Sequence, residues 1–521
     1  MARLPTPNSN PTGPIGRPRF LKAAKWGALS ILTAASIAVR LHCLASKPFW
    51  FDECFSAEIA RIDWRNFLRL MWWREANMAL YYLLLRAWLH FGQSPFYIRS
   101  LSVAISGSTV PAIYWIARAL YDRRVGLIAA ALFTFNAYSV RYAQEARSYA
   151  LFLLLTTLSS GLLVAWLRTP SERNWLGYVL VSSLAVYAHL YALLLLAAHW
   201  LAVVPTGALQ VAGLETFRAR ELRRGWITIG ILVSPLIVFV AKTGAGPIKW
   251  IQRPGISDVT SLFRHLAGGS SWVLGVMLGA LSLLAIAKCG TALWLRARGW
   301  EIWRCQFLLI WLLFPIALTF LLSFARPVFL ARYMIFCLPA FLILAAAGIV
   351  RLKPWWLSTT AAVVILVLSA RGISFVYAHD FDRERDQASA ASNFILDHSQ
   401  AGDGIVFHIA ETRIPYELFR TWRAGENTAS PDYHGQLGPE IVFPRHGAGL
   451  DSRDFTGKPT AELIRDAAGA HHRIWVMLMH NGTAENPDAT TVMLSRVLAE
   501  ALPQMQAWEF YKVEVRLYSR D

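Results

Sequence analysis

Apolar residues in this chain fall into long unbroken runs. A run of about 20 such residues is long enough to cross a ~30 Å hydrocarbon core. The runs predict eleven crossings: 26–45, 97–117, 125–140, 149–167, 175–187, 190–206, 226–242, 270–294, 306–324, 330–350 and 355–373. One stretch, NWLGYVLVSSLAVYAHLYALLLLAAHWLAVV, reads either as one long helix or as two short ones turning at Ala188-His189. The first run is too long for a signal-peptide core, and Ser46-Lys47-Pro48 is a poor cleavage site, so it is expected to stay as a helix.

Between the first two runs the pattern changes. SAEIARIDWRNFLRLMWW and MALYYLLLRAWLHF mix aromatic and aliphatic residues with charge, and Arg61, Asp63, Arg65, Arg69, Arg74 and Glu75 argue against crossings. Helices of this kind suit the membrane interface, which makes 47–96 a long loop with interfacial helices. From about Val376 the long runs stop. RERDQASAASNFILDHSQ predicts an amphipathic helix, GDGIVFHIAETR a turn, strand and loop, HRIWVMLMH a buried strand, and AWEFYKVEVRLYS an alternating strand. The fold class is therefore an all-α polytopic membrane bundle of 26–375 followed by a small external α/β domain, 376–521. That domain would either help to bind an acceptor or pack as a lid over the loop helices. Residues 1–25, rich in Pro and Gly and basic, predict a disordered cytoplasmic tail.

Composition agrees with a membrane protein: 55% of residues are hydrophobic and only 16% charged, against roughly 25% charged in soluble domains. The net charge of +18 is no sign of nucleic acid, because the basic residues sit in short loops between apolar runs. Their placement also resolves the topology. With two short helices at Ala188-His189, one set of loops holds Arg118, Arg123 and Arg124; Arg168 and Arg173; Arg218, Arg220, Arg223 and Arg224; Lys288, Arg296, Arg298 and Arg304; Arg351 and Lys353. That set is cytoplasmic by the positive-inside rule. A single helix would scatter the bias. The prediction is a multi-pass protein of the inner (plasma) membrane, with a cytoplasmic N-terminus and an external C-terminal domain. The five cysteines, Cys43, Cys54, Cys289, Cys305 and Cys337, show no CxxC spacing and predict neither a disulfide framework nor a zinc site.

Some charges break this rule. Asp52 and Glu53 begin the first external loop, RYAQEARSYA puts Arg141, Glu145 and Arg147 at another external turn, and RPVFLARY adds Arg326 and Arg332 at a third. His189 marks the tip of the two short helices. Ionisable groups at membrane depth are costly and usually functional. Arginine offers a planar fork to phosphate oxygens, and a carboxylate can take a hydroxyl proton. Glu145 would alternatively serve only to neutralise Arg141 or Arg147, and Glu53 only to favour the start of a helix.

The stretches WFDECFSAEIAR, LYYLLLRAWLHFGQSPFYIRSLS, YDRRVGLIAAALFTFNAYSVRYAQEARSYALFLLL and RPVFLARYMIFCLPAF resemble the GT-C superfamily of membrane glycosyltransferases. The similarity is to the bacterial branch related to protein O-mannosyltransferases and to the aminoarabinose transferase of lipid A. It covers about residues 26–375. The resemblance implies a polyprenyl-phosphate-linked sugar as donor, with transfer at the external face to a lipid, glycan or protein acceptor. It places a base at Asp52 and a second acid at Glu145, with Glu53 beside them as a catalytic candidate. Arg141, Arg147, Arg332 and Tyr333 would bind the donor phosphate, and His189 and Tyr149 other parts of the substrate. Asp52 and Glu145 are also the candidate ligands for a divalent cation, magnesium or manganese. Asn77-Met78-Ala79 stands where relatives often carry His-Pro-Pro, which leaves that histidine's role without a bearer here. A flippase or transporter for lipid-linked sugars, or a non-catalytic envelope assembly factor, is the alternative reading.

Overall fold

The computed structural model describes residues 19–73, 75–204, 206, 216–243, 251–269, 271–294, 299–378, 385–427, 438–444, 457–479, 481–482 and 487–520. Residues 1–18 of the predicted tail lie outside them. Helix α1 (Arg19–Leu41) begins before the predicted start at Trp26.

The loop after α1 forms α2 (Phe51–Arg61), α3 (Trp64–Trp73), a short 3-10 turn (Ala76–Met78) and α4 (Ala79–Trp88). The predicted helix over 56–73 is two helices, because Asp63 turns its carboxylate onto the Asn66 amide (3.1 Å) and starts α3 afresh. Helix α3 buries Phe67, Leu70 and Met71 while exposing Trp64, Leu68, Trp72 and Trp73. A short helix with apolar groups on both faces suits the lipid boundary.

Helices α5 (Pro95–Leu120), α6 (Arg123–Thr134), α7 (Ala137–Ala143) and α8 (Tyr149–Arg168) follow. The predicted crossing 125–140 is broken. Asn136 caps α7 by accepting from the Ser139 amide (2.9 Å). Arg40 of α1 donates to the Phe133 and Thr134 carbonyls that α6 leaves at its end (3.2 and 3.1 Å). Helices α9 (Glu172–Ala188) and α10 (Ala192–Val203) are separated by a turn at His189–Tyr191. The Asn77 side chain holds that turn by accepting from the Leu190 amide at 2.9 Å.

The bundle continues through α11 (Thr216–Thr243), α12 (Ile256–Leu266), α13 (Trp272–Trp294), α14 (Trp300–Leu322), a 3-10 segment (Ala331–Cys337), α15 (Leu338–Arg351) and α16 (Trp355–Ala378). Among the described residues six helices are long and apolar enough to cross a membrane, and Gly27–Leu41, Ala192–Val203 and Trp272–Ala287 are shorter apolar helices. The protein is thus a mostly helical, multi-pass membrane protein. Within Ala331–Arg351 89% of the residues in its most apolar 18-residue stretch are buried, which puts it in the middle of the bundle, whereas for Trp355–Ala378 the share is 28%, as on a rim.

The C-terminal part contains α17 (Ala388–His398), β1 (Gly404–Phe407), α18 (Arg413–Asn427), β2 (Glu440–Phe443), α19 (Ala461–Ala470), β3 (Arg473–Met479), α20 (Ala489–Ala501), β4 (Gln504–Phe510) and β5 (Val513–Ser519). The sheet order is β2-β1-β3-β5-β4. Strands β2, β1 and β3 are parallel, and β5 and β4 antiparallel. The single strand predicted over 507–519 is a hairpin: Phe510 pairs with Val513 across Tyr511-Lys512, where Lys512 takes a φ of 62°. Its apolar alternation runs through both strands and hides the turn. One sheet face packs on α17 and Tyr416 of α18, the other on α19 and α20.

Helix α18 docks on α2, with Ile414 and Leu418 inside the main core and Trp422 edge-on to Phe49 (5.4 Å). Glu58 of α2 is buried in this contact. Burial pushes its carboxyl up to about 7 from 4.5, with Arg61 opposing the rise and Glu417 adding to it. Below about pH 4.5 Glu58 is neutral in the folded and unfolded chain alike. From there to about pH 7 the unfolded chain ionises first, so stability falls by about 3 kcal/mol in all. Glu58→Gln is expected to flatten this slope and to raise the thermal transition above wild type at pH 8 while matching it near pH 4.5. Parallel curves for the two proteins would rule out a neutral Glu58.

Candidate active site

The Asp52-Glu53 pair occupies the first turn of α2, and its two carboxylates have different surroundings. Glu53 is fully buried. Arg99 of α5 donates to it twice, from Nε at 2.8 Å and from the guanidinium terminus at 2.6 Å. The Ala146 amide, in the turn between α7 and α8, donates a third bond at 2.9 Å. Burial favours the neutral acid, but Arg99 and Ala146 outweigh it and hold the carboxyl below its ordinary range. Arg99 also donates to the Leu44, Lys47 and Pro48 carbonyls (2.9, 2.8 and 3.0 Å), clamping the segment that leads into α2. Glu53 is a brace in this arrangement, with its oxygens occupied and no solvent access, and it does not fit the catalytic role expected of it.

Asp52, one residue earlier, keeps 23% of its side chain exposed and faces Arg147 at 3.6 Å. Arg147 also reaches the Asp52 carbonyl and the Ser56 hydroxyl, each at 3.4 Å. Arg332 lies within electrostatic reach of Asp52, Arg147 and Tyr149. Beside these cations stands an aromatic cluster. Tyr333 is 4.8 Å from His189 and 6.4 Å from Tyr149, centroid to centroid, and Tyr142 is 5.0 Å from Tyr149. His189 Nδ1 accepts from the Tyr191 amide (3.2 Å), so the ring proton sits on Nε2. That Nε2, the Tyr149 hydroxyl and the Ser148 hydroxyl are all buried without a hydrogen-bond partner. Buried donors in native structures are almost always satisfied. His189 Nε2 and the Tyr149 hydroxyl, on rings 6.4 Å apart beside two arginines, are what an oxygen-rich ligand would complete.

Glu145 is almost wholly buried and receives its ion pair from Arg385, at 3.0 Å, at the entry to the C-terminal part. Arg141 lines a separate cavity of about 10 Å³ with Arg99, Arg385 and Lys47. The arginines expected to form one phosphate set are therefore divided: Arg147 and Arg332 face Asp52, and Arg141 stands with Arg385. Trp50 is buried, with Arg385 5.8 Å above its ring. Among the described residues no three His, Cys, Asp or Glu side chains converge as metal ligands. Asp52 and Glu145, the two candidate cation ligands, each face a guanidinium.

Three residues went unmarked in the sequence. Arg99 stands at the edge of an apolar run, where a charge is a usable signal. Arg385 and Asp386 carry no local signal; they reach the site only through the tertiary fold. The Asp386 oxygens accept from the Phe51 amide, both at 3.2 Å.

No family model matches the sequence, and no curated relative does. Solved structures do. ArnT from Cupriavidus metallidurans in the apo state superposes with a TM-score of 0.61 at 14% identity, over 95% of this chain and 99% of that one. The same protein bound to undecaprenyl phosphate gives 0.56 at 13% identity, over 94% and 98%. The likeness runs through the bundle and the C-terminal part alike, and the chain has the fold of the GT-C membrane glycosyltransferases.

Proposed function

We propose that the protein is a glycosyltransferase that moves a sugar from a polyprenyl-phosphate donor to a hydroxyl acceptor at the external membrane face. The observation that carries this reading is the pairing of one accessible carboxylate, Asp52, with Arg147, Arg332 and two buried donors lacking acceptors, His189 Nε2 and the Tyr149 hydroxyl. The ArnT structure with undecaprenyl phosphate supports a lipid phosphate as the ligand class.

In this reading the acceptor hydroxyl attacks the anomeric carbon. Its proton passes to the Asp52 carboxylate. The bond from that carbon to the phosphate oxygen breaks, and the electron pair leaves with the polyprenyl phosphate. Arg147 and Arg332 meet the charge that develops there. His189 Nε2, Tyr149 and Tyr333 fix the phosphate or the sugar hydroxyls. A single displacement with one base inverts the anomeric centre; retention would need a carboxylate nucleophile. Glu145, held by Arg385, shapes the turn that presents Arg147.

The test is transfer in liposomes from a panel of labelled polyprenyl-phosphate sugars to a membrane extract. Transfer with inversion supports the reading; retention would overturn the single displacement. His189→Phe, which keeps the ring and removes the N–H, is expected to raise the donor KM about tenfold, as for one lost hydrogen bond to a charged group. An unchanged donor KM would take His189 out of the site.

A further inference from the structure

Helix α2 lacks a cap of its own. Its N-cap residue is Trp50, whose indole makes no capping hydrogen bond. The Phe51 amide is instead taken by the Asp386 carboxylate, 335 residues away in sequence. The same carboxylate accepts from the Ala388 amide at 3.1 Å, at the start of α17, whose N-cap residue Gln387 also makes no side-chain cap. One aspartate thus sits at the N-termini of two helices, one from each part of the protein, and both dipoles favour its negative charge.

Phe51 adds a second tie. Its ring packs against both the main core and the sheet-side core that contains Ala388, Ala391 and Ile395. Gln387, next to Asp386, is fastened to the β4–β5 hairpin by two bonds with the Tyr511 backbone, both at 3.0 Å. The residue directly before Asp52 is therefore held by the C-terminal part through its amide and through its ring.

We propose that Asp386 is a positioning residue for Asp52, and that the C-terminal domain is thereby a working part of the active site. Glu53 and Arg99 brace the first turn of α2 through a side chain; Asp386 fixes its first amide. With the cap gone the turn frays, and Asp52 spends less time opposite Arg147. The effect falls on the chemical step and leaves donor binding by Arg332, Tyr149 and His189 intact.

The test uses the full chain in detergent micelles and has two readouts. The first is amide hydrogen exchange, which is independent of activity. A peptide spanning 47–58 is expected to exchange several-fold faster in Asp386→Ala than in wild type, while one spanning 149–168 stays the same. Asp386→Asn, which keeps an acceptor oxygen, is expected to match wild type. Asp386→Ser can still cap α17 but is too short to reach Phe51; it serves where the alanine variant is not recovered folded, and its exchange is expected to rise likewise. Unchanged exchange at 47–58 in both the alanine and serine variants would overturn the proposal.

The second readout rests on the glycosyltransferase reading: kcat about tenfold lower in the alanine variant, as expected for a lost cap, an unchanged donor KM, and rescue by asparagine. A wild-type kcat in the alanine variant, or a change in donor KM alone, would overturn the positioning role. Wild-type protein without transfer from any donor overturns the glycosyltransferase reading, and exchange still decides for or against Asp386.

Discussion

Asp52→Asn is expected to lower sugar transfer by about 10²–10⁴-fold, the range a general base contributes, with the protein fully folded. The amide keeps the size of the carboxylate and one acceptor oxygen, and it cannot take the acceptor proton. The protein should still fold, because the ion pair to Arg147 is long at 3.6 Å and the amide oxygen of asparagine can still face the buried guanidinium. The measurement is the initial rate from the best donor in liposomes, with the thermal transition of each protein measured alongside. Transfer within a few-fold of wild type would remove Asp52 as the base. Among the three acids gathered here it is the accessible one: Glu53 is 0% exposed and Glu145 2%.

Arg99→Leu is expected to have the largest effect on folding. Leucine fills part of the volume and leaves Glu53 as a buried anion with only the Ala146 amide, while the Leu44, Lys47 and Pro48 carbonyls lose their donor. Breaking a buried pair by removing one partner costs about 3–5 kcal/mol, a large share of the roughly 5–15 kcal/mol that holds a domain together. The variant should give little monodisperse protein, and what is recovered should melt far below wild type. Arg99→Leu/Glu53→Gln should recover part of the loss, because the stranded charge is gone. A single variant that melts like wild type would show that Glu53 finds another cation.

The contrast between these two substitutions marks what the chain discloses locally. Asp52, Arg147 and Arg332 stood out because charge where apolar runs end has to be accounted for. The turn at His189 was legible because the two-helix reading alone put the basic loops on one side. Sequence left Glu53 open between a catalytic and a structural role because adjacent acids look alike, and the position of Arg99 favours the brace. The breaks at Asp63 and Asn136 were missed for a shared reason: apolar periodicity runs through both, and a single capping side chain ends the helix. Asp386 shows no pattern at all, since its bond to Phe51 spans 335 residues.

That span has a consequence for synthesis. The Glu53–Arg99 brace joins residues 46 apart, so it can form as soon as α5 has emerged. Asp386 follows Phe51 by 335 residues, which takes about 15–70 s to make at roughly 5–20 residues per second. Helix α2 is made well before the residue that caps it. A nascent chain already lodged in the bilayer would carry the Asp52 carboxylate on a helix with one end still loose until Asp386 has been made.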